Sequence, residues 1–264
     1  LEDCGIGHVV STNTMAQRLV ALADAGVRPD GLRLFGIDVP SPFPAETPAQ
    51  IAERPETEPD VWIVDQDLGY IMCTSGSTGV PKGIMHTHHG SISYARWGAQ
   101  HVGLTAADRV ASHAPLHFDL SIFDFFSTAQ VGGTVVLVPE PLTKFPASWT
   151  QYIEEEGISV VFTVPFTLIE MLERGALDQR DTSSLRWILF GGEPFPPKHL
   201  RAVMAALPNA RFTNVYGPAE APSCTCYDVP PIDAATLAAG TLATGTEVHD
   251  EPIPIGTVSV NSVE

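Results

Sequence analysis

Basic residues are scarce in this chain of 264 residues. Fourteen Lys and Arg stand against 31 Asp and Glu, giving a formal net charge of −17. A field of that sign repels phosphate backbones and anionic lipid, so neither nucleic acid nor a membrane surface is an expected partner. Cysteine is scarce too. Cys4, Cys73, Cys224 and Cys226 make no CxxC pair, and Cys224 and Cys226 alone are too close for an ordinary bridge and too few for a zinc site. A reducing, cytoplasmic compartment is expected. No apolar run approaches the ~18 residues of a membrane span. The amino terminus, Leu-Glu-Asp-Cys-Gly, lacks a basic start, an apolar signal core and an initiating methionine, so the chain is expected to begin inside a longer protein. No Walker loop occurs and no G-x-G-x-x-G fingerprint occurs.

What is present is an alternation of apolar runs and helical patterns. The hydrophobic content, 44%, suffices for one large core or two smaller subdomains. Met15, Leu19, Leu22 and Ala23 stand at helical spacing and Gly26 ends that helix. Residues 32–35 are a strand candidate, and the Pro- and Glu-rich stretch 41–60 is expected to be an exposed loop or linker. Residues 69–72 are expected to form a short buried strand. Further strands are expected at 84–87, 110–113, 134–138, 158–162, 186–190 and 212–215. Helices are expected at 91–100, 120–130, 149–156, 166–173 and 197–207, with Pro165 opening the fourth. Strands alternating with helices predict an α/β fold, with a parallel or mixed sheet covered by helices on both faces. In such sheets ligands bind beyond the carboxyl ends of the strands. That directs attention to residues 74–82, 114–119, 163–165, 191–194 and 216–224.

The first of these stretches reads Thr74-Ser75-Gly76-Ser77-Thr78-Gly79-Val80-Pro81-Lys82-Gly83. Its glycines and proline exclude a helix or a central strand. Free backbone N–H groups, four hydroxyls and one lysine suit a polyphosphate. Composition alone also fits a solvated turn. Three histidines, His86, His88 and His89, have metal-like spacing, but no Cys or acid is adjacent, and a helix-entry segment is the expected role.

The order of those ten residues resembles the phosphate-loop signature of the adenylate-forming enzymes, which include acyl-CoA synthetases, luciferases and the amino-acid adenylation domains of nonribosomal peptide synthesis. Two further motifs follow in the same order. Residues 118–121 (FDLS) resemble the substrate-pocket motif of the amino-acid branch, and residues 214–220 (NVYGPAE) resemble its N-x-Y-G-P-T-E motif. The resemblance covers nearly all of this chain but only the middle of a usual family member. It implies part of the large amino-terminal domain, without the small lysine-bearing carboxyl-terminal domain.

The resemblance also implies roles. Thr74, Ser75, Gly76, Ser77, Thr78, Gly79 and Lys82 would hold the β- and γ-phosphates of ATP. Glu220 would bind Mg2+; a hard cation that bridges phosphates commonly takes one or two carboxylates and water. Tyr216 would stack on adenine and Asn214 would bond its edge. Gly191, Gly192 and Glu193 would form the adenine-side loop, with Gly217 and Ala219 beside the nucleotide. His117 would border the active site. Asp119 would pair with the ammonium of an amino acid, while as a residue type it also suits a helix N-cap. Leu120, Phe123, Thr163, Leu189, Gly191, Val215, Ser223 and Cys224 would line the rest of the pocket. They are mostly apolar or small, so a small or medium uncharged side chain, or a β-amino acid, is expected. The activity implied is ATP-dependent activation of an amino acid as its adenylate, for transfer to the phosphopantetheine thiol of a carrier protein. An acyl- or aryl-CoA ligase and a truncated, non-catalytic nucleotide-binding module are the alternatives. Ala219 departs from the family's threonine and removes one hydroxyl near the phosphates.

Overall fold

The computed structural model describes residues 4–26, 29–74, 82–231 and 252–259. Contacts divide the chain into two units, 1–63 and 64–264. In the first unit, β1 (His8–Val10), β2 (Arg33–Phe35) and β3 (Ala45–Glu46) form a parallel sheet in the order β1-β2-β3. Between β1 and β2 runs α1 (Asn13–Asp24), capped by the Thr12 hydroxyl, which accepts from the Met15 N–H. Ala16, Ala23, Leu32, Leu34, Ile37 and Phe43 make the core of this unit. The expected loop 41–60 is therefore only partly a loop. Its first half holds β3 and α2 (Pro48–Ala52), which starts on a reciprocal capping box between Thr47 and Gln50. Residues 53–60 are exposed and irregular, as the Pro and Glu content predicts.

The second unit opens with an antiparallel two-stranded ribbon, β4 (Leu68–Thr74) and β5 (Lys82–Thr87). The buried strand expected at 69–72 is a ribbon strand with only Met72 buried, because β5 is its one strand partner among the described residues. The Thr87 hydroxyl then caps α3 (His88–Val102), which ends at Gly103 in the left-handed conformation. His88 and His89 enter that helix, as expected.

The main sheet takes its strands from β6 (Arg109–Ser112), β7 (Thr134–Leu137), β8 (Val160–Thr163), β9 (Trp187–Gly191), β10 (Arg211–Tyr216), β11 (Thr225–Val229) and β12 (Thr257–Val258). Their order is β12-β11-β10-β9-β8-β6-β7. The five strands β6 to β10 pair in parallel, and β11 and β12 add antiparallel at one edge. The helical connections are α4 (Leu120–Ile122), a π turn at Phe123–Ser127, α5 (Thr128–Gln130), α6 (Glu140–Thr143), α7 (Pro146–Glu156), α8 (Pro165–Arg174) and α9 (Pro197–Ala206).

Strand alternation assigns the two faces. Val110, Val160, Phe162, Trp187 and Leu189 pack with Tyr94 and Trp97 of α3 and with Phe123. Their neighbours Ala111, Val161, Ile188 and Phe190 pack with Trp149, Ile153, Leu168, Met171, Leu200 and Val203 of α7, α8 and α9. Both faces are apolar because both are covered, as the run-like strand sequences predicted. At the amino ends of three of these strands, Asp108, Ser159 and Arg186 form a clip. The Arg186 Nε and Nη2 donate to the two carboxylate oxygens of Asp108 at 2.8 and 2.9 Å, and the Ser159 hydroxyl donates to Asp108 at 2.8 Å.

Candidate functional site

The opposite, carboxyl ends of these strands carry four of the stretches singled out by the sequence, 114–119, 163–165, 191–194 and 216–224, whereas 74–82 connects the strands of the β4–β5 ribbon and not those of the main sheet. Thr74 and Lys82 are register partners at the open end of the β4–β5 ribbon, so one short connection joins them. Ser75, Gly76, Ser77, Thr78 and Gly79 lie outside the described residues. Four residues along, Tyr70 and His86 are also partners, and their rings stack at 4.6 Å. The His86 Nε2 lies 2.9 Å from the Ala219 carbonyl oxygen. That contact ties the β4–β5 ribbon to the 216–220 turn, through the backbone of the residue whose side chain departs from the family pattern.

Glycine is required at two points here. A Cβ on Gly191 would stand 2.3 Å from the Val215 carbonyl oxygen, and one on Gly217 would stand 2.4 Å from the Ser223 nitrogen. Gly191 lets β9 approach β10 at its end, and Gly217 lets the following turn fold back on itself. Ser223 holds that turn with φ +58°, a left-handed value that costs a non-glycine residue about 1 kcal/mol or more. It is buried, and the Ser259 hydroxyl donates to its carbonyl oxygen. Glu220 is exposed at the tip of the turn, and makes no ion pair among the described residues. No cluster of three His, Cys, Asp or Glu side chains suited to a metal exists among the described residues. A single exposed carboxylate fits a hard cation whose remaining ligands are phosphate oxygens and water.

A cavity of 580 Å3 opens beyond β9 and β10, lined by Gly192, Glu193, Asn214, Tyr216, Gly217 and Ile253, among others. The Tyr216 ring is half exposed beside it. Glu193 accepts a hydrogen bond from the Phe166 N–H at 2.8 Å, which fixes the loop after β9 on the first turn of α8. The Asn214 amide donates to the Pro254 carbonyl oxygen at 2.8 Å. The residues 252–255 that close this cavity carry no motif, and sequence reasoning missed them.

The residues expected to line an amino-acid pocket surround Asp119 in the sequence reading, and the structure places them as follows. The Asp119 backbone is already helical and its carboxylate makes no capping bond, so the N-cap role suggested by residue type is not realised. Burial raises its pKa, against the opposing pull of the Leu120 and Asp119 N–H groups and of His86. Leu120 is partly buried beside it, and His117 is exposed with its ring 4.7 Å from that of Phe118. Phe123 and Leu189 are fully buried in the core, and Val215 is buried with them. The Thr163 hydroxyl lies 3.4 Å from Nδ1 of His113, whose pKa burial pushes down to about 4. The Cys224 thiol donates to the Ala221 carbonyl oxygen. Burial, with a further contribution from the Asp119 charge, pushes the Tyr70 phenol up to about 12 despite a hydrogen bond with Ser91. Two residues the motifs do not include also reach this region, His86 and Tyr94. The pairing of an aromatic with a histidine across a hairpin was the only sequence signal for the first.

Comparison with known proteins agrees with this geometry. The family described as AMP-binding enzyme matches residues 1–250. An L-proline--[L-prolyl-carrier protein] ligase of Pseudomonas fluorescens is 41% identical over 193 residues, covering 72% of this chain and 39% of the relative. A protein of the same description from Streptomyces coelicolor is 36% identical over 210 residues, covering 75% of this chain and 40% of the relative. The chain thus spans about two fifths of the length of these curated relatives. Among solved structures, IdnL7 superposes with a TM-score of 0.76 at 24% identity, covering 98% of this chain and 49% of that one. The Vibrio cholerae adenylation domain AlmE, solved with glycyl-adenosine-5'-phosphate, superposes at 0.71 and 24% identity, covering 94% and 45%. At those identities the likeness establishes the fold. The motifs, the architecture and the match over residues 1–250 together place this chain in the AMP-binding enzyme family.

Proposed function

We propose that this chain is the core of a ligase that activates an amino acid with ATP and passes the aminoacyl group to the phosphopantetheine thiol of a carrier protein, in the cytoplasm. The observation that carries the reading is the contact between His86 and Ala219, which closes the phosphate ribbon on the turn that bears Glu220, beside the partly buried Asp119. In this reading Thr74, Lys82 and the connection between them hold the β- and γ-phosphates. The cavity beyond β9 and β10 takes the adenosine, with Tyr216 against the purine. Glu220 holds Mg2+, which when bound neutralises phosphate charge. Asp119 pairs with the substrate ammonium and aims the carboxylate at the α-phosphorus. Attack forms the mixed anhydride and expels pyrophosphate; the thiol then attacks the carbonyl carbon and expels AMP. Binding and positioning supply most of such catalysis. The relatives that act on proline and alanine, named for carrier proteins, support an amino acid as substrate and a carrier as partner.

The test is melting temperature against a panel of non-hydrolysable aminoacyl-AMP analogues, one for each amino acid, with ATP as reference. A rise with one analogue, lost in Asp119→Ala while the ATP response stays, is the expected result. A response to ATP alone would favour a nucleotide-binding module. A response to fatty- or aryl-acyl analogues that Asp119→Ala leaves intact would favour a CoA ligase.

A further inference from the structure

We propose that Tyr94, which no motif of the sequence includes, is a positioning residue of the amino-acid pocket, acting through the hydroxyl of Ser223 on the turn that carries Cys224 and Glu220. Tyr94 lies in the middle of α3 and is 3% exposed; Ser223 is 4% exposed. Their hydroxyls lie 3.4 Å apart, and Tyr94 is the only side chain bonded to the Ser223 hydroxyl among the described residues. The ring of Tyr94 is held in turn by stacking on Trp97 at 5.9 Å. Ser223 needs holding. It sits in a left-handed conformation, and Gly217 packs against its nitrogen with no room for a methyl group. Ser259 clamps the same residue through its carbonyl oxygen. The side chain of Ser223 is therefore gripped from α3 and its backbone from the edge of the sheet.

Tyr94 also faces the acids of the site. Burial raises its pKa, the Ser223 bond opposes that, and the charges of Asp119 and Asp124 raise it further, so the phenol stays protonated. Two hydroxyls that share one hydrogen bond keep a second proton, which has no acceptor among the described residues. The pair joins α3 to the turn assigned to the pocket wall, and its phenol feels the charge of the residue assigned to the substrate ammonium. Loss of either hydroxyl leaves the other buried and unsatisfied, which costs more than the bond is worth when made.

This inference rests on the aminoacyl-adenylate reading, and the experiment separates the two. Calorimetry on this chain would measure the affinity of ATP and of the aminoacyl-AMP analogue that wild type binds, for Tyr94→Phe, Ser223→Ala and the double variant. Each single variant is expected to weaken the analogue about fivefold and to leave ATP within about twofold. The double variant is expected to be no worse than either single, because one contact is lost in all three. Unchanged analogue affinity in both singles, equal losses for ATP and analogue, or losses that multiply in the double would each overturn the proposal. If Tyr94→Phe fails to fold, Ser223→Ala against wild type decides. A wild-type chain that binds ATP but no aminoacyl analogue would instead overturn the underlying reading, and the proposal with it.

Discussion

Two buried aspartates, sixteen positions apart, are treated in opposite ways. Asp108 lies at the amino end of β6. It accepts from Arg186 twice, from the Ser159 hydroxyl, and from the Thr105 N–H at 2.8 Å. The same guanidinium donates to the carbonyls of Val102 and Gly103, so it also ties down the end of α3. Asp124 lies in the π turn that follows Asp119. It is fully buried, and neither carboxylate oxygen has a hydrogen-bond partner among the described residues. The hydroxyls of Ser127 and Thr128, one helical turn on, are buried and unpartnered as well. The difference follows from what each neighbourhood supplies. Asp108 meets donors brought together by the starts of β8 and β9, and its oxygens are satisfied. Asp124 stands in a helical connection that supplies it no donor among the described residues, and there local rules are broken.

The largest effect comes from breaking the satisfied carboxylate. Asp108→Asn removes the charge while Arg186 remains, and a buried partner left without its counter-charge is costly. Because Arg186 is itself about a third exposed, the expected loss is about 2–3 kcal/mol in urea unfolding, at the low end for such pairs. The unsatisfied carboxyl predicts the reverse sign. Asp124→Asn keeps the shape and removes an ionisable group that burial disfavours, and is expected to raise stability at pH 7 by about 1–2 kcal/mol. A loss there would mean that Asp124 has a partner the apo arrangement does not show.

Acid titration of the melting temperature sharpens the contrast. Burial pushes Asp108 up, but its bonds to Arg186, Ser159 and Thr105 more than offset that and hold its pKa at about 2. A depressed folded value gives stability that is present above the unfolded carboxylate range and lost as pH falls through it towards 2. Asp124 is raised well above that range by burial alone. Its contribution is present in acid and is lost as pH rises through the folded value. Wild type should therefore gain stability as pH falls from 7 towards 4, then lose it below 4. Asp124→Asn should flatten the first limb, and Asp108→Asn the second. A first limb unchanged in Asp124→Asn would show that Asp124 ionises freely in the folded chain.

Neither aspartate was legible in the sequence, and the reason is physical. Arg186 lies 78 positions from Asp108. Their meeting depends on the register of β6, β8 and β9, which only long-range pairing sets. The π turn is equally hidden, because residues 120–130 read as an ordinary helix and are indeed helical throughout. What periodicity does carry came through. The expected elements between β6 and β10 all exist, with strand alternation sorting Val160 from Val161 and Ile188 from Leu189 onto opposite faces. The short antiparallel edge, β11 and β12, was not foreseen, since strands of two to five residues with polar sequences carry little pattern. The candidate site divides in the same way. Motifs named the residues on its loops, whereas Tyr94 and residues 252–255 had no local signal, and the spacing that singled out His86 did not point to its contact with Ala219.

The smallest test compares one satisfied hydroxyl with one unsatisfied hydroxyl. Ser159→Ala removes a donor to a charged acceptor, so Asp108 loses one of its bonds and about 1–2 kcal/mol is expected to go. Ser127→Ala removes a hydroxyl that bonds to nothing among the described residues. That hydroxyl also fills the space a methyl on Gly98 would need, at 2.7 Å, so α3 and the π turn are in close contact there. Trading an unsatisfied buried oxygen for hydrogen removes an uncompensated desolvation cost and opens a void smaller than a methyl group. The two terms nearly cancel, and the expected change is within about 0.5 kcal/mol of zero. A loss as large as that of Ser159→Ala would show that the Ser127 hydroxyl is satisfied in solution, by water bridging it to Asp124. The two aspartates would then differ in what satisfies their surroundings, and not in whether they are satisfied.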